Sequence, residues 1–541
     1  MSVVPDKVAG MARIAVIGAG MGAMAAAARL AVAGHRVAVY ERGATYGGAV
    51  RRFERAGFGF DTGPGLLHLP AVYRDLFVKT GREPLESVVE LSQVDPAARH
   101  VFPDGTAVLL PNASRAGVLA ALDGALGDGA GERWSAFLGR AREAWDRTRR
   151  PLLEEPLWPD WQVLGRDPYP ALPRRGLFGR RKPVTDASLA EVAGHELKDP
   201  RLTALLESYA LAYGYDPRTA PASAAVLPYM EQTFGSWYPR GGIRALADAL
   251  YERCLARKVE FSFGAEVTRI VSADGRAAGV ELRDGGRVEA DTVVAGVAPD
   301  QLAALLEGTE PWGGEPCSGE PWGGDDVRPD ADARRRTPGR FTVALALRGP
   351  RPADAAHRTV VHAADRAAEL ATLFGAGAGA GEGAGGLCDR PTVTVLRPDD
   401  PESRPDDGHE AVTLSAAVAP YGELALPTAG ATSPEPAAQE TAAQAAAADR
   451  LMAAAEAAIP GLRERVLWRA VLPPDAGGSV PGPALAGAGG RFLRPGNRTR
   501  IPGLYAVGGW THPGGGLAHA GMSGALVAGL IVNGDGWRGS E

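Results

Sequence analysis

Two glycine-rich stretches, one at each end of the chain, contain the residues whose types and spacing can do chemistry. Near the start stands Gly18-Ala19-Gly20-Met21-Gly22-Ala23, followed by the acid Glu41; near the end stands Gly508-Gly509-Trp510-Thr511-His512-Pro513-Gly514-Gly515-Gly516, followed by Leu517. The first has the spacing of a dinucleotide-binding turn. Gly18 permits the tight turn, Gly20 lets a pyrophosphate approach the backbone, and Ala23 is small enough for a helix to pack closely on a strand. The free N–H groups and positive dipole end of the following helix suit phosphate. Glu41 can accept both ribose hydroxyls of an adenosine and repels a 2′-phosphate. This stretch alone leaves flavin and nicotinamide dinucleotides equally open.

Candidates for acid–base or metal chemistry are few. Of nine histidines, His512 is the best catalytic candidate because it lies in the C-terminal glycine loop, with a hydrogen bond to that loop's own backbone as the competing role. His519 follows closely. His357 and His362 fall on opposite faces of an expected strand, so they do not form a metal pair. Cys254, Cys317 and Cys388 show no paired spacing, which fits a reducing cytosol and provides no disulfide or zinc framework. The sequence therefore predicts no metal site, and no nucleophile–base signature appears.

The elements that must position these residues can be read from the patterning. A short apolar run at 14–17 predicts a buried strand, 21–33 an Ala-rich helix ended by Gly34, and 36–40 a second strand that finishes on Glu41. This is a βαβ unit. At the other end, 503–508 predicts a buried strand and 518–532 a small-residue helix, a second strand–glycine loop–helix. Between them, helices are expected at 71–80, 116–126, 132–149, 188–211 and 244–256. Strands are expected at 259–263, 264–271 and 292–295, with hairpin turns at Asp274-Gly275 and Asp284-Gly285-Gly286. Residues 57–64 alternate aromatic and glycine, as a strand entering a turn or as a hairpin. A second sheet is expected from 341–347, 359–362, 392–396 and 411–416, followed by a helix at 439–458. Loops are expected at 308–337, where Glu-Pro-Trp-Gly-Gly occurs twice, and at 375–386 and 427–438.

Composition narrows the class. At 541 residues, with 45% hydrophobic and 23% charged residues, the chain reads as a soluble globular protein with a large core. A net charge of −6 argues against nucleic-acid binding. No signal segment and no apolar run of membrane-spanning length is visible, and Met11 is an alternative start to Met1. The expected location is the cytoplasm. The 150–185 stretch mixes Trp158, Trp161, Tyr169, Leu177 and Phe178 with Arg174, Arg175, Arg180, Arg181 and Lys182. That mixture is read first as an irregular surface loop and second as a peripheral membrane contact.

Four blocks together resemble the bacterial-type phytoene desaturase family, the FAD-dependent carotenoid desaturases and their relatives. They are the Gly18–Glu41 fingerprint with Gly47-Gly48; Phe60-Asp61-Thr62-Gly63-Pro64; Trp237-Tyr238-Pro239-Arg240-Gly241-Gly242 with Gly264-Ala265-Glu266-Val267; and Val507 through Gly516. They stand in the same order as in that family, and the last two are the more specific. Residues 301–490 match only in general pattern. Two departures stand out: Ala49 occupies the place where the family has an arginine, leaving Arg51 or Arg52 to substitute, and the C-terminal loop is as similar to the broader relatives as to the phytoene enzymes.

The resemblance implies an α/β, two-domain FAD-dependent oxidoreductase with a Rossmann-like FAD-binding domain and a mixed sheet-plus-helices substrate domain. The first would comprise 11–80, 238–300 and 495–541; the second 81–237, largely helical, and 301–494. FAD would be bound by Gly18, Ala19, Gly20, Met21, Gly22, Ala23, Glu41, Arg42, Gly47, Gly48, Ala49, Gly63, Pro64, Val267, Gly508, Gly509, Gly516 and Leu517. The Val267 backbone would face the adenine, and the C-terminal loop the flavin. The implied reaction is desaturation of a long lipophilic polyene such as phytoene, with one hydrogen leaving as hydride to FAD and the other as a proton. The electron acceptor beyond FAD is open between oxygen and a quinone. Alternatives are oxidation of a polyketide-derived polyene or a carotenoid end group by an oxidase, ketolase or isomerase; oxidation of an amine; and, without chemistry, a prenyl-lipid escort protein.

Overall fold

In a computed structural model, the chain is described over residues 11–158, 160–175, 181–184, 186–307, 337–375, 386–419, 440–472, 481–534 and 536–539. A five-stranded parallel sheet forms its first layer. Its spatial order is Glu260–Phe263, Arg36–Glu41, Arg13–Ile17, Thr292–Ala295 and Leu504–Ala506. Strands brought from sequence positions nearly 500 residues apart thus share one sheet, with Ala15 paired to Ala38 and Val293 and Val293 to Leu504.

The sheet is covered on both faces, as a parallel sheet requires. Alternation along the first strand divides its side chains between two cores. Ile14 and Val16 join a core with the helices Met21–Val32, Ala71–Gly81, Ile243–Ala256 and Leu517–Asn533. Ala15 and Ile17 join another with the helix Pro299–Leu306 and a three-stranded antiparallel sheet, Val267–Ala273, Arg276–Leu282 and Arg287–Glu289. The turn expected at Asp274-Gly275 is present, with positive φ at both residues (52° and 72°), as a two-residue hairpin needs.

A seven-stranded sheet forms the second body. Its order is Val466–Leu472, Gly339–Arg348, His409–Val418, Val393–Leu396, Arg358–Val361, Ala98–Val101 and Ala107–Leu110. Helix Ala442–Ala455 packs on one face through Leu451, Met452 and Ala455. The hairpin Arg52–Arg55/Phe58–Asp61 and Trp468 meet small residues of the sheet, Ala344, Ala346 and Ala470. A helical layer, Arg115–Leu126, Ala130–Arg149, Pro200–Ala212 and Val226–Phe234, shares a separate core around Trp134 and Phe137.

The segment read as largely helical also contains five short strands, Leu91–Gln93, Ala98–Val101, Ala107–Leu110 and the antiparallel pair Leu172–Arg175 and Arg181–Val184, which lies in the stretch read first as an irregular loop, and the start of a sixth, Ser236–Pro239. Four residues carry too little periodicity to announce a strand. Ala98–Val101 pairs with its neighbour Ala107–Leu110 on one side and with the distant Arg358–Val361 on the other. Within 57–64, Phe58–Asp61 is a strand that enters a bend, and it forms a hairpin with the preceding Arg52–Arg55. The loops expected at 308–337, 375–386 and 427–438 lie almost entirely outside the described residues. So do Leu177, Phe178, Arg180 and Cys317, and the side chains of Arg174, Arg175, Arg181 and Lys182. No helix among the described residues is long and apolar enough to cross a membrane.

Candidate active site

The adenosine-side cradle is built almost entirely from residues 18–48. At the end of the first strand Gly18 turns with φ +87° and donates its N–H to the Tyr40 carbonyl at 2.8 Å. Helix Met21–Val32 opens at Gly20 with no side-chain cap, which leaves its first-turn N–H groups for a ligand. Glu41 is buried at the end of the second strand. Its Oε2 accepts from the Ala19 N–H at 2.8 Å and its Oε1 from the Gly43 N–H at 2.7 Å. Two backbone amides thus hold the carboxylate beside the glycine turn, and its further lone pairs remain available to hydroxyl donors. Arg42 points outward, exposed. The Gly47 N–H donates to Ala19, and a Cβ on Gly48 would stand 3.0 Å from Gly20 Cα. Amides of Gly264 and Ala265 bond the carbonyls of Gly43 and Glu41, which sets Val267 beside this end.

Two motifs separated by almost two hundred residues are joined by one acid. Asp61 accepts from the N–H groups of Ile243 (2.9 Å) and Arg244 (3.3 Å), so it caps helix Ile243–Ala256 where Gly242 opens it. Burial pushes the Asp61 carboxyl up to about 6, against those amides. Arg244 then braces the glycine-pair loop, donating to the carbonyls of Tyr46 (2.8 Å) and Val50 (3.3 Å). Gly63 packs so closely on Ala49 that a Cβ would lie 2.3 Å from its carbonyl oxygen; Pro64 follows in the same turn. Of the two arginines after Ala49, Arg51 donates Nε to Gly48 at 2.8 Å, while Arg52 reaches the carbonyls of Gly241 and Glu402.

The flavin-side loop is held by residues the sequence did not single out. Asn497, 1% exposed, donates Nδ2 to the carbonyl of His512 (2.8 Å) and lies within bonding reach of Ser523 Oγ (3.0 Å). Ser523 in turn accepts from the Gly508 N–H at 2.9 Å. No local signal marks an asparagine as the hub of a loop that follows it. His512 is fully buried. Its Nε2 donates to the Glu155 carbonyl at 2.9 Å, and burial pulls its pKa down to about 4, so the ring is neutral, with Nδ1 the free lone pair. His519 is depressed to about 4 in the same way, by burial and by His512. Helix Leu517–Asn533 opens at Gly516, also without a side-chain cap.

The two uncapped helices are packed side by side. A Cβ on Gly524 would fall 2.6 Å from the Gly22 carbonyl, and one on Gly22 would fall 2.8 Å from the Ala520 carbonyl and 3.1 Å from Gly508 Cα. Close contact at these glycines brings the Gly20 and Gly516 ends of the cradle into one site, with Gly508 and Gly509 between. An FAD fits the residues present. A Cβ on Gly20 or Gly508 would meet nothing within 4 Å, so open space faces the backbone at both. Two buried acceptors of the flavin-side loop, Asn497 Oδ1 and His512 Nδ1, have no protein partner. No lysine or arginine replaces Glu41 to take a 2′-phosphate.

A second cluster went unseen in the sequence. Arg358 grips Glu231 with both terminal nitrogens, one of them at 3.2 Å. His68 Nε2 stands 3.6 Å from Glu231 Oε2, and its Nδ1 lies 3.4 Å from Ser236 Oγ. Burial pushes the Glu231 carboxyl up, but Arg358 and His68 outweigh it and hold it below its ordinary value. Burial, with Arg358 beside it, pulls His68 down against Glu231 and a hydrogen bond to the Gly235 backbone. Nearby, His100 Nδ1 and His362 Nε2 are 3.0 Å apart across adjacent strands, both deeply buried and held neutral. His357 instead faces Tyr238. Among the described residues no group of three or more potential ligands forms a metal site.

Comparison with known proteins gives a consistent outcome. Residues 24–315 match the family described as flavin containing amine oxidoreductase. The hydroxyneurosporene desaturase of Rhodobacter capsulatus is 28% identical over 525 residues, 96% of this chain and 97% of that protein. The 4,4'-diapolycopene oxygenase of a Methylomonas species is 31% identical over 283 residues. That second match spans 52% of this chain and little more than half, 55%, of the relative. A solved oxidoreductase from Methanosarcina mazei has the same fold, with a TM-score of 0.59 at 18% identity over 95% of this chain and 99% of that one.

Proposed function

This chain belongs to the flavin containing amine oxidoreductase family, and from that premise we propose that it desaturates a long lipophilic polyene, with a carotenoid precursor such as phytoene as the first candidate. The enzyme is a flavin oxidoreductase, and its cofactor is FAD. The observation that carries the polyene reading is the collinear likeness to a hydroxyneurosporene desaturase over almost the whole of both chains. The match is not confined to the nucleotide fingerprint, which many flavoproteins share, but runs through the segments that form the second sheet and the helical layer.

When bound, FAD supplies the hydride acceptor for a C–C unit that becomes C=C, the second hydrogen leaving as a proton. The rest of the work falls to this chain's residues. Gly18–Ala23, Glu41, Gly47 and Gly48 would hold the adenosine and pyrophosphate. The loop Gly508–Gly516 and the uncapped N-terminus at Leu517 would lie along the flavin and favour negative charge there. Neutral His512 offers an unbonded Nδ1 to a proton, and it is the proposed catalytic residue on this side. The discontinuous division into 11–80, 238–300 and 495–541 against 81–237 and 301–494 assigns the parallel sheet to the cofactor and the seven-stranded sheet with the helical layer to the substrate. The 150–185 stretch is the proposed membrane contact through which a lipophilic substrate would enter.

A second reading is oxidation of a carotenoid end group, or of a polyketide polyene; the likeness to an oxygenase over 283 residues favours the first of these. Anaerobic incubation of the FAD-loaded protein with phytoene, with a polyketide polyene and with an amine separates the readings. Flavin bleaching by phytoene is the expected result. Bleaching by the amine alone would remove the polyene assignment and leave the flavin site intact.

A further inference from the structure

His512 is held at two levels. Its backbone is tied to Asn497 and to Pro495, which lie just ahead of the flavin-side loop. Its ring is tied to one atom of a distant segment, the Glu155 carbonyl at 2.9 Å. A carbonyl only accepts, so this bond puts the ring proton on Nε2 and leaves Nδ1 bare. Whatever holds Glu155 therefore sets the place of the proton on His512 and the direction of its lone pair.

Glu155 follows an irregular turn. Helix Ala130–Arg149 runs on into a π-helical turn, Arg150–Glu154, a feature that recurs at functional sites. The turn contains Pro151, whose missing N–H interrupts the helical ladder. Residues 536–539, which double back after helix Leu517–Asn533, cover this segment. Gly534 makes the reversal with φ +84°, and its carbonyl accepts from the Trp537 N–H at 3.1 Å. The Trp537 ring lies on Gly529, where a Cβ would come 2.2 Å from it. The Arg538 guanidinium sits 3.6 Å over the ring of Trp158. Gly539, with φ +97°, is so close that a Cβ would stand 2.8 Å from the Glu154 carbonyl oxygen and 3.0 Å from Glu155 Cγ. Trp537, Arg538 and Gly539 thus tie 154–158 to the far end of the helix that begins at the flavin-side loop. Alanine is favoured over glycine inside a helix, yet position 529 holds glycine; the ring filling the place of its side chain accounts for this.

We propose that Trp537, Arg538 and Gly539 act as a latch that positions His512: they keep the Glu155 carbonyl on its Nε2, and so keep Nδ1 as the free lone pair. The effect on turnover rests on the reading of His512 as the proton acceptor; the effect on the ring does not.

Two variants of the full chain test the latch. Gly529→Ala favours the helix itself and pushes the Trp537 ring aside, and Arg538→Ala alters only an exposed side chain. Both apoproteins are expected to keep a denaturation midpoint near that of the wild type. The first readout is the proton on His512 Nε2, observed by 15N-edited NMR of histidine-labelled apoprotein, with His512→Gln identifying its signal. A buried, hydrogen-bonded N–H is protected from exchange with water, and a released one is not. The wild type is expected to show the signal, and each variant to exchange that proton at least about tenfold faster. The second readout is anaerobic bleaching of the FAD-loaded protein by phytoene. Each variant is expected to slow it about tenfold through kcat rather than KM, and to add nothing to His512→Gln. A signal that persists unchanged in both variants, or is absent from the wild type, overturns the latch whatever the bleaching rate. Faster exchange with bleaching at the wild-type rate supports the latch and overturns His512 as the proton acceptor. Because the first readout needs neither FAD nor substrate, it stands even if the polyene reading fails.

Discussion

The proposed adenosine cradle and the interior charge cluster with the C-terminal loop are built in opposite ways. The first is one run of chain, 18–48, whose groups bond to one another across a few tens of residues at most. Glu41 reaches back to Ala19, and Gly47 reaches Ala19 as well. The second is assembled from His68, Glu231 and Arg358, with Glu155, Asn497 and Ser523 holding the flavin-side loop. A contiguous cradle suits the adenosine half, which is the same in every molecule of FAD whatever the substrate. A scattered one can be altered residue by residue to suit a particular substrate. The difference teaches that a contiguous cradle and a scattered cluster follow separate physical logic, the first set by local backbone geometry and the second by tertiary packing.

The largest expected effect comes from breaking the scattered side. Arg358→Leu leaves Glu231 buried and unpaired and should cost about 3–5 kcal/mol of stability, measured as a lower denaturation midpoint. Next is the seam between the two sides. Gly524→Val places carbon against the Gly22 carbonyl and the Ala26 nitrogen, 2.6 and 2.8 Å from where a Cβ would sit. Backbone on that face cannot turn aside, so a loss of about 3 kcal/mol should accompany a drop in retained flavin. Gly20→Val sharpens the contrast, because its Cβ meets nothing within 4 Å. The apoprotein should melt as the wild type does, while FAD affinity, titrated by flavin fluorescence, falls at least about tenfold. Glu41→Gln exchanges one of two acceptor oxygens for a donor facing a backbone N–H. It should lower both apoprotein stability and FAD affinity, each by about 1–2 kcal/mol.

The smallest effect is one of pH, and its sign differs between groups. His512 and His519 fall from 6.5 to about 4. The unfolded chain therefore binds more protons than the folded one between those values. Their contribution is complete above pH 6.5 and is lost as pH falls toward 4. Asp61 rises from 3.8 to about 6, so its contribution is present below pH 3.8 and is lost as pH rises through 6. His357 and His362, lowered to about 3, act in the same sense as the first pair, and Asp167, raised to about 6, acts with Asp61; four histidines outweigh two aspartates, and the denaturation midpoint should fall between pH 6.5 and 4. His512→Gln should flatten that fall. An unchanged profile would mean that the ring protonates without unfolding the loop around it.

How far the site was legible follows from the same division. The βαβ unit, the turn at Asp274-Gly275 and the terminal strand and helix could be read from period, glycine and turn chemistry within short windows. The strand at Ala98–Val101 was not, because four residues carry too little periodicity, and its second partner, Arg358–Val361, is distant in sequence. Asp61 was legible as part of a motif but not as the cap of a helix that begins at Ile243. Asn497 carried no signal, since an asparagine before a strand is ordinarily just a turn residue.

By itself, the amino-acid sequence determined that two strand–glycine–helix units exist, that the first suits an adenosine dinucleotide without a 2′-phosphate, and which family the motifs resemble. These are local facts, set by backbone freedom at glycine and by the periodicity of apolar side chains. Only the tertiary structure decided that Gly22 and Gly524 let the two helices meet, that His512 is neutral with its Nε2 committed to Glu155, and that His68, Glu231 and Arg358 converge in the interior. Each of those depends on burial and on partners between a hundred and about five hundred residues away. Charge state, desolvation and close packing belong to the folded arrangement, not to any stretch of sequence.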